Sequence, residues 1–209
     1  MRIVAIETAT PRYSVAFIND GTGEIVEETY EGGARLSQAL WPLILRAERA
    51  AWPAATADLL VADAGPGSFT GVRMTLAVLK GLAFPRKIPL VTATSLEVLA
   101  VTSAENGGSG RVAAVIDARG GSWYYAVYEI TPSATRVIVS PGIGAATEIR
   151  ALRVQSYVGP SGWADTGLRW REVFPKASVL ARIGLKKFRE EGNAAATETR
   201  ACYLKSGQI

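Results

Sequence analysis

The segment RIVAIETAT at residues 2–10 opens the chain, and RVAAVIDAR at residues 111–119 repeats its design near the middle. Each segment starts with Arg, continues as a nearly unbroken apolar run and then reaches an acidic residue, Glu7 or Asp117. In each case a turn and a second strand-like segment follow. The repeat predicts a duplicated α/β lobe that opens each time with a β-hairpin, although two unrelated buried hairpins would give the same pattern.

The rest of the first half predicts a mixed sheet with three helices. Alternating or continuous apolar runs predict strands at residues 2–8, 13–18, 24–30, 59–62 and 88–91. Helical spacing predicts helices at residues 36–51 and 70–84, the second ended by Pro85. A third helix is expected after Thr94, which can cap it together with Glu97. The alternation of strand and helix implies parallel strands in this part of the sheet.

A linker-like segment, ENGGSG at residues 105–110, divides the chain near its middle. We therefore expect an N-terminal lobe at residues 1–105 and a C-terminal lobe with a tail at residues 106–209. The second lobe should be the reduced one, because few helical patterns occur after residue 139 until residues 180–191.

The composition excludes several classes of function. The 209 residues are 48% hydrophobic and 20% charged, which suits two modest folded lobes. The chain has no histidine and one cysteine, Cys202, so it cannot form a Ser-His or Cys-His catalytic site or a usual zinc site. The net charge of +4 is too small to indicate nucleic-acid binding by itself. Without a long apolar run or a secretory signal, we expect a cytoplasmic protein that does not contact membranes.

A glycine-rich loop lies between the predicted strand at 59–62 and the helix at 70–84. It consists of Gly65, Pro66, Gly67, Ser68, Phe69, Thr70, Gly71, Val72 and Arg73. Such a loop can present backbone N–H groups to an anion, but its spacing matches neither the P-loop nor the dinucleotide fingerprint. The alternative is a tight turn in which Ser68 or Thr70 caps the helix.

The helix that follows the loop is apolar around most of its circumference. One stripe contains Val72, Leu76, Leu79 and Ala83, and a second contains Met74, Ala77, Val78 and Leu82. Gly71 and Gly81 are small enough to let a partner approach. One face of this helix should stay uncovered in so small a lobe, so we expect an interface helix in preference to a wholly internal one.

Glu7 and Asp117 end the first strands of the two predicted lobes. Paired carboxylates in these positions could hold a hydrated Mg²⁺ and a nucleotide between the lobes. The alternative is that each carboxylate caps its own turn.

Four segments together resemble the bacterial tRNA threonylcarbamoyladenosine biosynthesis protein family TsaB, also called YeaZ. They are residues 6–8, 65–73, 95–97 and 203–205. The resemblance covers the first hundred residues well and the hairpin at 114–128 fairly well. The nonamer at 65–73 is its most specific part.

The resemblance implies the duplicated fold of actin-like ATPases and sugar kinases, with two lobes of which the second is reduced. It implies a non-catalytic scaffold that binds the catalytic paralogue TsaD as a heterodimer. The wider complex would include a TsaE-type ATPase and transfer threonylcarbamoyl to the adenosine next to the tRNA anticodon. The chain itself would have no cofactor or metal, ATP and the metal being held by the catalytic partner. It would meet tRNA only through the complex and could form a homodimer when alone.

The resemblance also implies which residues act. Helices of the first lobe would contact TsaD through Leu36, Leu40, Leu43, Met74, Ala77, Val78, Gly81 and Leu82. Glu7 and Asp117 would be vestigial nucleotide-site positions. The main alternative is an ATPase or small-molecule kinase that uses Glu7 and Asp117, and a third possibility is a tRNA-binding module.

Overall fold

The computed structural model describes residues 1–32, 35–160, 168–196, 200–202 and 204. Tyr203 and Lys205, from the family-like segment near the C-terminus, lie outside the described residues. Within these ranges no helix is both long enough and apolar enough to span a membrane.

A mixed five-stranded sheet forms the first half of the fold. Its strands are β1 (Arg2–Glu7), β2 (Arg12–Asn19), β3 (Glu24–Glu31), β4 (Leu59–Asp63) and β5 (Leu90–Ala93). They lie in the order β3-β2-β1-β4-β5. The first three strands are antiparallel neighbours, whereas β1, β4 and β5 are parallel, as predicted. The last strand begins two residues later than predicted, after Pro89, which has no N–H to donate to a ladder.

The three predicted helices are confirmed as α1 (Leu36–Ala50), α2 (Phe69–Ala83) and α3 (Ser95–Glu105). Apolar residues of α1 and α2 share one hydrophobic cluster with one face of the sheet. The Thr94 side chain caps α3 by accepting a hydrogen bond from the Glu97 N–H at 3.2 Å. The cap leaves Glu97 in the first turn, where a negative charge is favourable.

The second half repeats this topology. Its elements are β6 (Gly110–Arg119), β7 (Ser122–Ile130), β8 (Thr135–Ala145), α4 (Ala146–Arg150), β9 (Ser156–Gly159), β10 (Trp170–Glu172) and α5 (Ala177–Glu191). The sheet order is β8-β7-β6-β9-β10, which matches that of the first sheet strand for strand. The prediction of a duplicated α/β fold of the actin-like ATPase and sugar-kinase type is therefore confirmed. The helix α4 has 5 residues where α1 has 15, so the second copy is reduced at this position.

Each sheet lies wholly on one side of the predicted boundary at 105/106. The helices do not keep to this boundary, because α3 packs against the second sheet and α5 packs against the first. Leu96 and Leu99 of α3 pack with the second sheet, whereas Leu180 of α5 packs with Ile3 and other residues of the first. A division into residues 1–105 and 106–209 therefore does not follow the packing. The exchange arises because α3 and α5 are the equivalent last helices of the two copies, and each carries the chain across the junction.

Side chains of the first sheet hold the N-terminus of α5. The N–H of Ala177 donates to Ser14 Oγ at 2.9 Å, and the N–H of Ser178 donates to Glu27 Oε1 at 3.0 Å. The residue before the helix, Lys176, supplies no side-chain cap. These contacts satisfy free helix N–H groups from strands more than 150 residues away in sequence.

Candidate functional site

The glycine-rich loop packs directly against the turn that follows β1. The Ser68 N–H donates to the Ala9 carbonyl at 2.7 Å. A Cβ added at Gly67 would collide with the Ala9 carbonyl, and one added at Gly71 would collide with the Thr8 carbonyl. Gly65 has a φ of +82°, which favours glycine. Close contact between backbones therefore explains Gly67 and Gly71, and the positive φ explains Gly65.

Ser68 caps the helix α2. Its Oγ accepts a hydrogen bond from the Gly71 N–H at 3.1 Å, while Phe69 and Thr70 are exposed. The Arg73 guanidinium lies 4.7 Å from the centre of the Phe69 ring. The prediction of a tight turn with a capping serine is confirmed, and Ser68 has the role of a cap.

A cavity of about 580 Å³ lies between the two lobes. Its walls include Thr10 from the turn after β1, Ser68 from the glycine loop and Asp117 from the end of β6. Asp117 is exposed, and its Oδ1 accepts a hydrogen bond from the Arg119 N–H at 2.7 Å. The Asp117 carboxylate therefore accepts a hydrogen bond from its own turn and also lines the cavity.

Glu7 does not line this cavity, so the structure does not bring the Glu7 and Asp117 carboxylates together there. The Glu7 side chain is fully buried and its Oε1 accepts a hydrogen bond from the Ala9 N–H at 2.8 Å. It points into the protein because β1 is the central strand of the first sheet, and its neighbour there is the strand that ends in Asp63.

Glu7 and Asp63 form a buried carboxyl pair. Burial, followed by the negative charge of Asp63, raises the pKa of Glu7 well above its usual value. Burial raises the pKa of Asp63 to about 6. Two hydrogen bonds, from Ser95 Oγ at 2.7 Å and from the Gly65 N–H at 2.6 Å, act in the opposite direction and lower it. The Oε2 atom of Glu7 finds no donor in the described part of the chain other than a proton shared with Asp63. Both shifts favour the protonated form of the carboxyl groups over the doubly charged pair.

Asp63 was not singled out from the sequence. It follows the apolar run at 59–62 and precedes the glycine loop. The signal was the parallel pairing of β1 and β4, because the carboxyl ends of two parallel neighbours meet at one edge of the sheet. Both strands end in an acid there, and their meeting could have been deduced.

The outer face of α2 presents an apolar strip to solvent, which we define as Met74, Ala77, Val78, Gly81 and Leu82. Ala77 and Gly81 are exposed, and the other three are partly exposed. The opposite side of the helix, including Val72 and Leu79, is buried in the core. Met74, Val78 and Leu82 pack partly against the core cluster of the first sheet, so the strip is only partly exposed.

The prediction for α1 is wrong in its choice of face. Leu36, Leu40 and Leu43 are 7%, 3% and 0% exposed and lie in the core cluster with the sheet. They are the regular apolar stripe of an amphipathic helix, and that stripe packs inward. Trp41, by contrast, is 54% exposed on the outer side. If α1 contributes to an interface, the contact must come from this outer side.

Comparisons with known proteins agree with this architecture. The family model described as TsaD, tRNA N6-adenosine threonylcarbamoyltransferase, matches residues 33–198. The tRNA threonylcarbamoyladenosine biosynthesis protein TsaB of Escherichia coli (strain K12) is 31% identical, over 99% of this chain and 95% of that protein. The protein of the same name from Bacillus subtilis (strain 168) is 25% identical over 90% of this chain and 88% of that protein.

The solved structure of YeaZ from Pseudomonas aeruginosa superimposes with a TM-score of 0.82 at 25% identity, covering 97% of this chain and 99% of that chain. Together with the family model, this match defines the class as two-lobed α/β proteins with a TsaD-type domain. The chain belongs to the TsaB family, also called YeaZ.

Proposed function

We propose that this chain is a non-catalytic scaffold subunit in tRNA threonylcarbamoyladenosine biosynthesis. It binds a catalytic TsaD paralogue as a heterodimer, and tRNA and a TsaE-type ATPase meet it only within the larger complex. ATP and a metal ion serve the catalytic partner. Its relatives in Escherichia coli and Bacillus subtilis carry the name of this pathway.

The observation that carries the proposal is the partly exposed apolar strip on α2. An apolar strip on a regular 15-residue helix is costly to leave in water and is typical of a protein–protein contact. The exposed Trp41 of α1 and the Phe84 side chain, 85% exposed just beyond α2, add aromatic anchors on the same helical layer. A paralogue built on the same fold would offer equivalent helices for packing against this layer.

The residue composition and the burial of its carboxyl groups disfavour catalysis by this chain. It has no histidine, so acid–base catalysis near neutral pH would need a carboxyl group with a shifted pKa that substrate can reach. Among the described residues, the two carboxyls with raised pKa, Glu7 and Asp63, are 0% and 1% exposed. Asp117 faces the interlobe cavity without either of them.

The alternative of an ATPase or small-molecule kinase required Glu7 and Asp117 to act together. The buried position of Glu7 removes its carboxylate from the cavity between the lobes. Micromolar ATP binding with turnover by the isolated chain would support that alternative against the scaffold.

The proposal is tested by placing a charge in the apolar strip. Val78→Asp should keep the fold and abolish association with the TsaD protein of the same organism, because an unpaired carboxylate is costly in an apolar contact. The matched control is Val137→Asp, since Val137 is 54% exposed on β8 in the other lobe. Copurification and thermal unfolding are measured for both variants. Equal binding by the two variants, or unfolding of Val78→Asp, would refute an interface at this strip.

A further inference from the structure

The chain around α2 carries only positive charge. Between Asp63 and Glu97 the sequence contains Arg73, Lys80, Arg86 and Lys87 and no acidic residue. All four basic side chains are exposed. The helix α2 and the turn after it therefore carry a net positive charge. An apolar contact does not by itself need such a charge.

Arg73 and Lys80 lie on one edge of the apolar strip. They are seven residues apart, which is two helical turns, so both side chains leave the same side of α2. Ala77, the strip residue nearest to that edge, lies between them along the helix. The strip is consequently bounded by a cationic edge on one side and by the partly buried Leu82 on the other.

These charges are not neutralised within the described part of the chain. No salt bridge there involves any of the four, and Arg73 instead lies over the Phe69 ring. Arg86 donates to the Ala55 carbonyl, which leaves its charge in place. On the neighbouring helix α1, the Glu48 carboxylate accepts from the Ala54 N–H at 2.7 Å.

We infer that the cationic edge selects the partner: the surface that docks on α2 is an apolar strip with acidic residues along the edge that meets Arg73 and Lys80. This inference rests on the proposed function and specifies the chemistry of the partner's surface. The same edge disfavours a second copy of this chain. In a two-fold dimer through α2, Arg73 and Lys80 of each copy would border one contact without any acid from that segment.

Electrostatics of this kind predict opposite salt effects on the two associations. Attraction between the cationic edge and an acidic partner weakens as salt rises, whereas repulsion between two cationic edges is relieved. Association with the partner should therefore become weaker with salt, and self-association should become tighter. Repulsion between the two cationic edges therefore favours binding of an acidic partner over binding of a second copy of this chain.

The test is the double reversal Arg73→Glu with Lys80→Glu in the full chain. The matched control is Arg136→Glu with Arg153→Glu, which changes the charge equally at exposed positions of the second lobe. Dissociation constants for the TsaD protein of the same organism are measured at 50 and 500 mM salt. Sedimentation at the same salt concentrations measures self-association, and circular dichroism checks the fold.

We expect Arg73→Glu with Lys80→Glu to weaken partner binding about tenfold or more at low salt and to remove most of the salt dependence of that binding. We also expect tighter self-association at low salt, with neither effect in the control. Unchanged binding and an unchanged salt effect in the α2 reversal would overturn the inference. If Val78→Asp still abolished binding in that case, the proposed function would stand without it. If Val78→Asp also bound normally, both would fail.

Discussion

Glu27 and Ser178 are 151 residues apart in the chain and are joined by two hydrogen bonds. The Ser178 N–H donates to Glu27 Oε1 at 3.0 Å, and its hydroxyl donates to Oε2 at 2.7 Å. The carboxylate of β3 thus caps the first turn of α5, where the positive end of the helix dipole favours it. This contact ties the end of the second copy to the first sheet.

Glu27→Ala should lower the free energy of unfolding by about 1 to 2 kcal/mol, because it removes a charged cap from α5. Urea denaturation provides the measurement. Glu24→Ala, at the exposed start of the same strand, serves as the control and should change stability by less than about 0.5 kcal/mol. Equal losses in the two variants would mean that the contact with Ser178 contributes nothing.

Glu7→Gln should change how stability depends on pH. The pKa of Glu7 is raised and that of Asp63 is raised to about 6, so the folded protein binds protons more tightly than the unfolded chain. This penalty is absent below about pH 4, where both states are protonated, and grows as pH rises through about 6. A glutamine amide can donate to Asp63 at every pH, so the variant should gain melting temperature over the parent at pH 8 and gain little at pH 4.5. A constant difference across this range would contradict the raised pKa values of the pair.

Gly67→Ala should destabilise the fold by about 2 kcal/mol or more, because the new Cβ would collide with the Ala9 carbonyl, a backbone atom that cannot turn away. Gly81→Ala is the informative comparison. A Cβ at Gly81 meets nothing within 4 Å, and alanine favours a helix over glycine by about 1 kcal/mol. Thermal unfolding should therefore shift in opposite directions for the two variants, and a shift of the same sign would contradict this account of the loop.

Leu43→Ala and Trp41→Ala should separate the two faces of α1. Leu43 is fully buried, so its truncation should cost about 3 kcal/mol of stability. Trp41 is mostly exposed, so its truncation should change stability by less than about 0.5 kcal/mol and weaken binding to the TsaD protein. Denaturant unfolding and copurification are compared. Loss of stability in Trp41→Ala would show that the face is assigned wrongly.

Neither Glu7→Gln nor Asp117→Asn should reduce tRNA modification by more than a few-fold when the chain is assayed with its catalytic partner. Glu7 is enclosed in the core, and Asp117 caps its own turn. Initial rates at saturating subunit concentration provide the measurement. A hundredfold decrease, with assembly and stability unchanged, would mean that this chain contributes to the chemistry directly.

Much of the candidate site could be predicted because it depends on local pattern. The glycine loop, the Ser68 cap and the apolar circumference of α2 follow from residues close together in sequence. The assignment of Leu36, Leu40 and Leu43 to an interface failed for a related reason. An apolar stripe predicts that a surface is covered, but it does not distinguish a covering sheet from a covering partner.

The sequence by itself determined the strand and helix order of the first half and the absence of imidazole chemistry, since these depend on composition and on periodicities within single elements. It left the duplication open, and the matching strand order of the two sheets decided it. Tertiary structure alone decided which distant groups meet. The pairing of Glu7 with Asp63 depends on β1 and β4 being parallel neighbours, and the crossing of α3 and α5 depends on how the two sheets are placed. Such contacts are set by the packing of whole elements, and residue spacing along the chain carries no direct record of them.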